Sequence, residues 1–205
     1  MVARLALGWD PGTAQCGFGV IAREGARLRR VDGGTIKSDS AKPLEERLYG
    51  IWADATAIVR EHHPVVMGIE DQLGVAAAAR ANQNRKLAAA RRGGHVADLG
   101  YTADTDGVIG VQFILMSVAF SYRVPIKLLQ PRTIKVQMLG PGGGSAEKKD
   151  IKAAVERVLG LQGERFSSHA ADGFAAAITA ERMSAIESRM SGIELEFQDA
   201  RKQRV

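Results

Sequence analysis

Short apolar runs bounded by turn residues predict five β-strands along the chain. Pro11 and Gly12 follow the first run, which favours a tight turn and an antiparallel pair with the second. The third run sets Leu and Val among polar residues, which is typical of an edge strand. The fourth is apolar on both faces, so we expect it inside the sheet. The five runs are residues 5–9, 17–21, 26–36, 65–70 and 125–129.

Apolar residues at intervals of three and four predict a helix from Pro43 to His62-His63-Pro64. Adjacent residues on a helix point about 100° apart. We therefore interpret the two histidines as helix-end residues rather than as a metal site. The predicted apolar face consists of Leu44, Leu48, Ile51, Trp52, Ala55, Ile58 and Val59.

The C-terminal half predicts further helices. Residues 101–107 are polar and turn-like, whereas 108–122 is apolar over a helical length and is expected to form a buried helix. Pro131 opens a short helix through Met138, before the glycine-rich loop 140–144.

Serine residues are positioned to cap the last two helices. Ser145 is expected to cap a helix that begins at Ala146, and Ser167-Ser168 one that begins near His169 and runs toward Met190. The start of the last helix is rich in alanine, so it can lie very close to a sheet.

Composition indicates an ordinary globular protein of one domain. Of its 205 residues, 45% are hydrophobic and 25% charged. No apolar stretch approaches the ~18 residues of a membrane span, and the N-terminus lacks the features of a signal peptide. The single cysteine, Cys16, excludes an internal disulfide and is expected to be buried. We therefore expect a cytoplasmic protein with no membrane partner.

The positive charge is concentrated in one segment. The net charge is +5 and the isoelectric point is about 9.6. Residues 74–96 contain five cationic side chains and no Asp or Glu, which accounts for the whole excess. This concentration favours a phosphate-facing patch, although a solvated helix face is the alternative. The five residues are Arg80, Arg85, Lys86, Arg91 and Arg92.

Three acids and a histidine stand where they can meet. Asp10 and Glu70 each end a predicted central strand, and His169 and Asp172 share one side of the last helix. Singly, each suits a turn or a helix start. Together they suit magnesium or manganese, whose coordination shell a substrate phosphate completes. Two such ions activate water and stabilise a leaving 3′ oxygen in phosphodiester cleavage.

These motifs resemble those of the RuvC-type Holliday junction resolvases of the ribonuclease H-like superfamily. The resemblance covers most of residues 3–185 in the family's order, and its first and last motifs are specific in combination. The matching segments are LGWDPG at 7–12, GFGVI at 17–21, IE at 69–70, GSAEK at 144–148 and AADGFAAA at 170–177.

The resemblance implies an α/β fold, with a five-stranded mixed sheet flanked by helices. One nuclease domain spans residues 1–190, with an extra basic helical insertion over about 74–105, and a tail spans 191–205. The implied activity is symmetric cutting of four-way DNA junctions by a homodimer, with Mg²⁺ or Mn²⁺, two per active site.

The resemblance also assigns residues. Asp10, Glu70 and Asp172 match the catalytic, metal-binding acids, and His169 stands where family members carry Asp or His. Lys148 is similar to a loop lysine that contacts the scissile phosphate region. Lys135 resembles a second basic residue near the site.

Two features depart from the family pattern. Family members have an aromatic residue after the second acid that wedges into the junction, whereas this chain offers Leu73. The segment from 74 to 105 is also longer than expected and contains the basic residues described above. The added charge is predicted to contact DNA backbone.

Three other functions fit parts of the sequence. Asp10-Pro11-Gly12-Thr13 followed by Gly17 also resembles the phosphate-binding hairpin of actin-like sugar kinases and ATPases. In those proteins nucleotide sits between two such domains, and 205 residues supply one. The others are a catalytically weak junction-binding protein, with His169 in place of an acid, and a nuclease for structured RNA.

Overall fold

A mixed five-stranded sheet forms the centre of the protein. The computed structural model describes residues 4–75, 77, 81 and 104–202. The strand order is β3-β2-β1-β4-β5. The first three strands pair antiparallel, and β4 runs parallel to both β1 and β5. The strands are β1 Arg4–Asp10, β2 Gln15–Glu24, β3 Arg27–Lys37, β4 Val66–Glu70 and β5 Ile126–Leu129.

The five predicted strands are confirmed, including β3 at an edge and β4 in the interior. Helices α1 and α2 pack on one face of the sheet, over a core that includes Leu7, Trp9 and Cys16. Helices α3, α4 and α5 cover the opposite face. The helices are α1 Leu44–His62, α2 Asp104–Ser121, α3 Pro131–Leu139, α4 Lys148–Leu159 and α5 Ser168–Lys202.

The close approach of α5 to the sheet is confirmed. Gly8 pairs with Gly19 on one side and with Gly68 on the other, so glycines line up across three neighbouring strands. A Cβ atom at Gly8 would lie 2.1 Å from the backbone nitrogen of Ala177. Only strands without side chains at these positions allow the helix backbone to rest directly on them.

Two predictions about helix starts are wrong. Helix α2 begins at Asp104, so residues 104–107 are helical rather than a turn. The cap of α4 is Glu147, which forms a reciprocal capping box with Asp150. Ser145 instead ends a 3-10 turn, Gly143–Ser145, that closes the glycine-rich loop. The carboxylate pair satisfies the backbone amides that a serine cap would have taken.

The apolar face of α1 is narrower than predicted. Ile51, Ala55 and Val59 are buried, whereas Trp52 remains 42% exposed. Trp52 stacks on Tyr49 with ring centroids 5.7 Å apart. The exposed aromatic pair lies beyond the edge of the face that the sheet covers.

Helix α5 extends farther than predicted, because it continues to Lys202 through residues that the sequence assigned to a tail. The basic residues Arg80, Arg85, Lys86, Arg91 and Arg92 lie outside the described residues. Among helices in the described ranges, none is both long and apolar enough to cross a membrane.

Candidate active site

Two carboxylates meet at one edge of the sheet. Asp10 is the last residue of β1 and Glu70 the last of β4. These parallel strands pair in register, with Trp9 opposite Ile69. Because parallel strands end at the same edge of a sheet, the two acids that follow this pair lie side by side.

The first turn of α5 brings a histidine and a third acid to the same edge. The hydroxyl oxygen of Ser167 accepts the N–H of Ala170 at 3.0 Å, which confirms the predicted cap. Within this first turn, the Nδ1 atom of His169 lies 2.8 Å from Oδ2 of Asp10. The side chain of Asp172 is 16% exposed, and it lines the same cavity as Asp10 and Glu70.

Two lysines complete the wall of this cavity, which has a volume of about 250 Å³. The Nζ atom of Lys148, at the start of α4, lies 3.2 Å from Oδ2 of Asp172. Lys135 contributes from α3, while His169 contacts Asp10 from outside the lining. The lining residues are Asp10, Glu70, Pro131, Ile134, Lys135, Lys148, Ile151 and Asp172.

Burial and repulsion from neighbouring carboxylates disfavour ionisation of Asp10 and Glu70. Burial, with smaller contributions from Asp10 and Asp172, raises the pKa of Glu70 to about 7. Burial also raises the pKa of Asp10, although the hydrogen bond with His169 opposes that shift. Partial burial lowers the pKa of Lys148, but nearby carboxylates, Asp172 foremost, raise it by more. The site therefore concentrates negative charge at high energetic cost, which a cation relieves.

The donor chemistry of the cavity fits a hard divalent cation. Mg²⁺ prefers carboxylate oxygens and is held by few protein ligands, with water and phosphate as the others. Within the part of the chain that the structure describes, no three His, Cys, Asp or Glu side chains form a ready-made cage. The acids instead line an open cavity, which leaves coordination positions for a substrate phosphate.

Leu73 occupies a different position from these residues. It is partly exposed and does not line the acidic cavity. Its backbone N–H donates to the side chain of Gln112, at 3.1 Å. Sequence reasoning missed Gln112, although a lone amide inside an apolar helical run is a signal of a buried polar contact.

Comparison with known proteins identifies the family. A family model described as "Crossover junction endodeoxyribonuclease RuvC" matches residues 6–111. The protein of that name from Syntrophomonas wolfei is 31% identical over 172 residues, which cover 84% of this chain and 85% of the relative. The chain belongs to the RuvC family of crossover junction endodeoxyribonucleases. The family match includes both strand-end acids, Asp10 and Glu70.

Solved RuvC structures share the fold. The structure of Thermus thermophilus RuvC superimposes with a TM-score of 0.66 and 24% identity, over 91% of this chain and 96% of that one. A structure of T. thermophilus RuvC in complex with Holliday junction substrate gives the same TM-score and coverage at 22% identity. The predicted ribonuclease H-like architecture of the RuvC family is thereby confirmed.

Proposed function

We propose that this protein is a structure-selective endodeoxyribonuclease that resolves four-way DNA junctions by paired, metal-dependent cuts. The observation that carries the proposal is the meeting of Asp10, Glu70, Asp172 and Lys148 around one open cavity. Membership of the RuvC family supports the activity. The junction complex of the T. thermophilus relative supports the substrate.

In this proposal Asp10, Glu70 and Asp172 hold two Mg²⁺ or Mn²⁺ ions per site. When bound, such ions polarise the scissile phosphate and activate a water molecule. The raised pKa of Glu70, about 7, supports this assignment because a cation relieves the repulsion among the acids. The hydrogen bond from His169 orients the Asp10 carboxylate. For this reason we assign His169 to the metal side of the site.

The lysines are assigned to the substrate. Lys148 is mostly exposed, with 73% of its side chain accessible, while its ammonium group lies against Asp172. From this position it can donate to a phosphate oxygen as the phosphate approaches the acids. Lys135 lines the same cavity and adds a second positive charge.

Contacts farther from the cut are assigned to Leu73 and to the basic stretch. Leu73 is the apolar wedge at the junction. The basic residues neutralise DNA phosphates and do not stack on bases, because the stretch from 80 to 92 contains no aromatic ring. This group comprises Arg80, Arg85, Lys86, Arg91 and Arg92.

A homodimer follows from the proposed chemistry. One chain carries one acidic cavity of this kind among its described residues, whereas resolution requires cuts on two strands. The exposed aromatic side chains of Phe113 (51%) and Phe120 (82%) on α2 offer apolar surface for such an interface. We place this dimer in the cytoplasm, with its DNA substrate. Sedimentation at micromolar concentration tests the oligomeric state. A monomer bound to the junction would contradict the homodimer.

A cleavage assay tests the function. Fixed and mobile four-way DNA junctions, a linear duplex and an RNA junction of matched sequence are incubated with the protein and Mg²⁺. We expect symmetric cuts in the DNA junctions, and a loss of several orders of magnitude in the Asp10→Asn variant with binding retained. Binding without cleavage in the wild type would indicate a junction-binding protein, and preferred RNA cleavage a ribonuclease.

A further inference from the structure

A fully buried amide lies beneath the segment that follows Glu70. The side chain of Gln112 in α2 has 0% exposure. Its Oε1 atom accepts the backbone N–H of Gln72 at 2.7 Å and that of Leu73 at 3.1 Å. Its Nε2 group donates to Oδ1 of Asp71 at 3.4 Å. All three hydrogen bonds go to one short stretch of chain, residues 71–73.

This stretch begins a helical turn, and Gln112 supplies what the turn lacks. Residues 72–75 are helical, and the first amides of a helix have no acceptor within it. Gln112 accepts the first two, and Oδ1 of Asp71 accepts the third, from Gly74, at 3.0 Å. A side chain from a different element therefore determines where this turn starts.

The backbone at the end of β4, which carries Glu70, is anchored independently of Gln112. The N–H of Asp71 donates to the carbonyl oxygen of Leu129 at 2.9 Å, which continues the β4–β5 ladder past Glu70. Leu73 lies beyond the end of β4, and its N–H donates to the side chain of Gln112 instead of to a neighbouring strand. Loss of the Gln112 acceptor therefore frees Leu73 while the backbone at Glu70 stays in place.

We infer that Gln112 is a positioning residue that sets the placement of Leu73 at the centre of the junction. The inference rests on the proposed junction-resolving function. Gln112 acts through the turn and never contacts DNA, because it is buried. It controls how the protein engages the crossover, while the carboxylates control phosphodiester cleavage.

The test compares two substitutions of similar volume. Gln112→Met removes both the acceptor and the donor to Asp71, whereas Gln112→Glu, as a buried neutral acid, keeps an acceptor oxygen for the two amides and an O–H donor for Asp71. A junction with 2-aminopurine at the crossover and uncleavable linkages at the cut sites reports base unstacking. We expect Gln112→Met to lose the fluorescence rise and to raise KM at least tenfold, with kcat within threefold of wild type. Gln112→Glu should restore most of both readouts.

Several outcomes overturn the inference. These are wild-type behaviour of Gln112→Met, a fall in kcat at unchanged KM, and an effect that adds fully to that of Leu73→Ala, since coupled residues are non-additive. Failure of the wild type to cut any junction contradicts the proposed function instead.

Hydrogen exchange on the wild type tests the two hydrogen bonds from the amides of Gln72 and Leu73 to Gln112 without a variant or a substrate. We expect the amides of Gln72 and Leu73 to exchange at least a hundredfold more slowly than in an unstructured chain. Fast exchange at both amides overturns the inference, even if Gln112→Met fails to fold.

Discussion

The Nδ1 atom of His169 lies 2.8 Å from Oδ2 of Asp10, although 159 positions separate the two residues in the chain. The contact joins the end of β1 to the first turn of α5. It ties the strand-end acid to the helix that carries Asp172. Because hydrogen bonding to His169 opposes the rise in the pKa of Asp10, the contact favours the ionised carboxylate that a metal requires.

Removal of the histidine should shift the pH dependence of cleavage. In His169→Ala, Asp10 loses the hydrogen bond that lowers its pKa, so it retains its proton to higher pH. We expect the cleavage rate to fall by about ten- to a hundredfold. The acidic side of the pH–rate profile should move to higher pH. His169→Asp should stay active, with altered pH and metal preference.

A second histidine bonded to an acid in the described part of the chain provides the control. The Nε2 atom of His62 lies 3.1 Å from Oδ2 of Asp32, away from the acidic cavity. His62→Ala should leave the pH profile of cleavage unchanged. An unshifted profile in His169→Ala would show that the contact with Asp10 has no role in the reaction.

The ionised Glu70 should destabilise the metal-free fold. Its pKa is about 7 in the folded protein, against 4.5 for a glutamate exposed to water, so the folded state binds the extra proton between these values. Stability therefore falls as pH rises from 4.5 to 7 and stays low above. At pH 8 in chelator, the free energy of unfolding of Glu70→Gln should exceed that of the wild type by on the order of 3 kcal/mol. This difference in the free energy of unfolding should disappear by pH 4.5.

Urea denaturation across this pH range measures the effect. Asp54→Asn on the exposed side of α1 is the matched control, and it should shift stability by only a few tenths of a kcal/mol at any pH. Added Mg²⁺ should stabilise the wild type more than Glu70→Gln. Equal stability of Glu70→Gln and wild type at pH 8 would contradict the prediction.

A methyl group at Gly8 should separate α5 from the sheet. The new Cβ atom would lie 2.1 Å from the nitrogen of Ala177 and from the carbonyl oxygen of Gly173, both of which are backbone atoms. We expect Gly8→Ala to cost about 3 kcal/mol or more, at the upper end for overpacking. Gly50→Ala meets nothing within 4 Å in α1 and should stabilise by about 0.5–1 kcal/mol. Thermal denaturation compares the two, and equal melting temperatures would refute the close packing.

The basic stretch should add to the salt dependence of junction binding. The salt dependence is the slope of the logarithm of the junction-binding constant against the logarithm of the salt concentration. Each lost phosphate contact lowers the magnitude of this slope by up to about one unit. Replacement of four exposed cations elsewhere should change the slope less, while cut-site preference stays the same. An unchanged slope would show that the stretch does not touch DNA. The test variant carries Gln at Arg85, Lys86, Arg91 and Arg92, and the control at Arg27, Arg60, Arg157 and Arg189.

Local pattern determined the elements and most of the candidate site. Strand periodicity and the turn at Pro11 and Gly12 located β1 and β2, because these signals depend on neighbouring residues. Acids at the ends of two apolar runs, both predicted as central strands, indicated Asp10 and Glu70. The spacing of His169 and Asp172 followed from the helix repeat alone.

Tertiary structure decided what depends on distance between elements. Strand register aligned Gly8 with Gly19 and Gly68, and only that alignment lets α5 rest on the sheet. Helix packing placed Gln112 beneath the turn at Leu73. The capping box between Glu147 and Asp150 made Glu147, rather than Ser145, the N-cap of α4. These outcomes depend on which groups meet once the chain is compact, and the spacing of residues along one segment carries no information about such meetings.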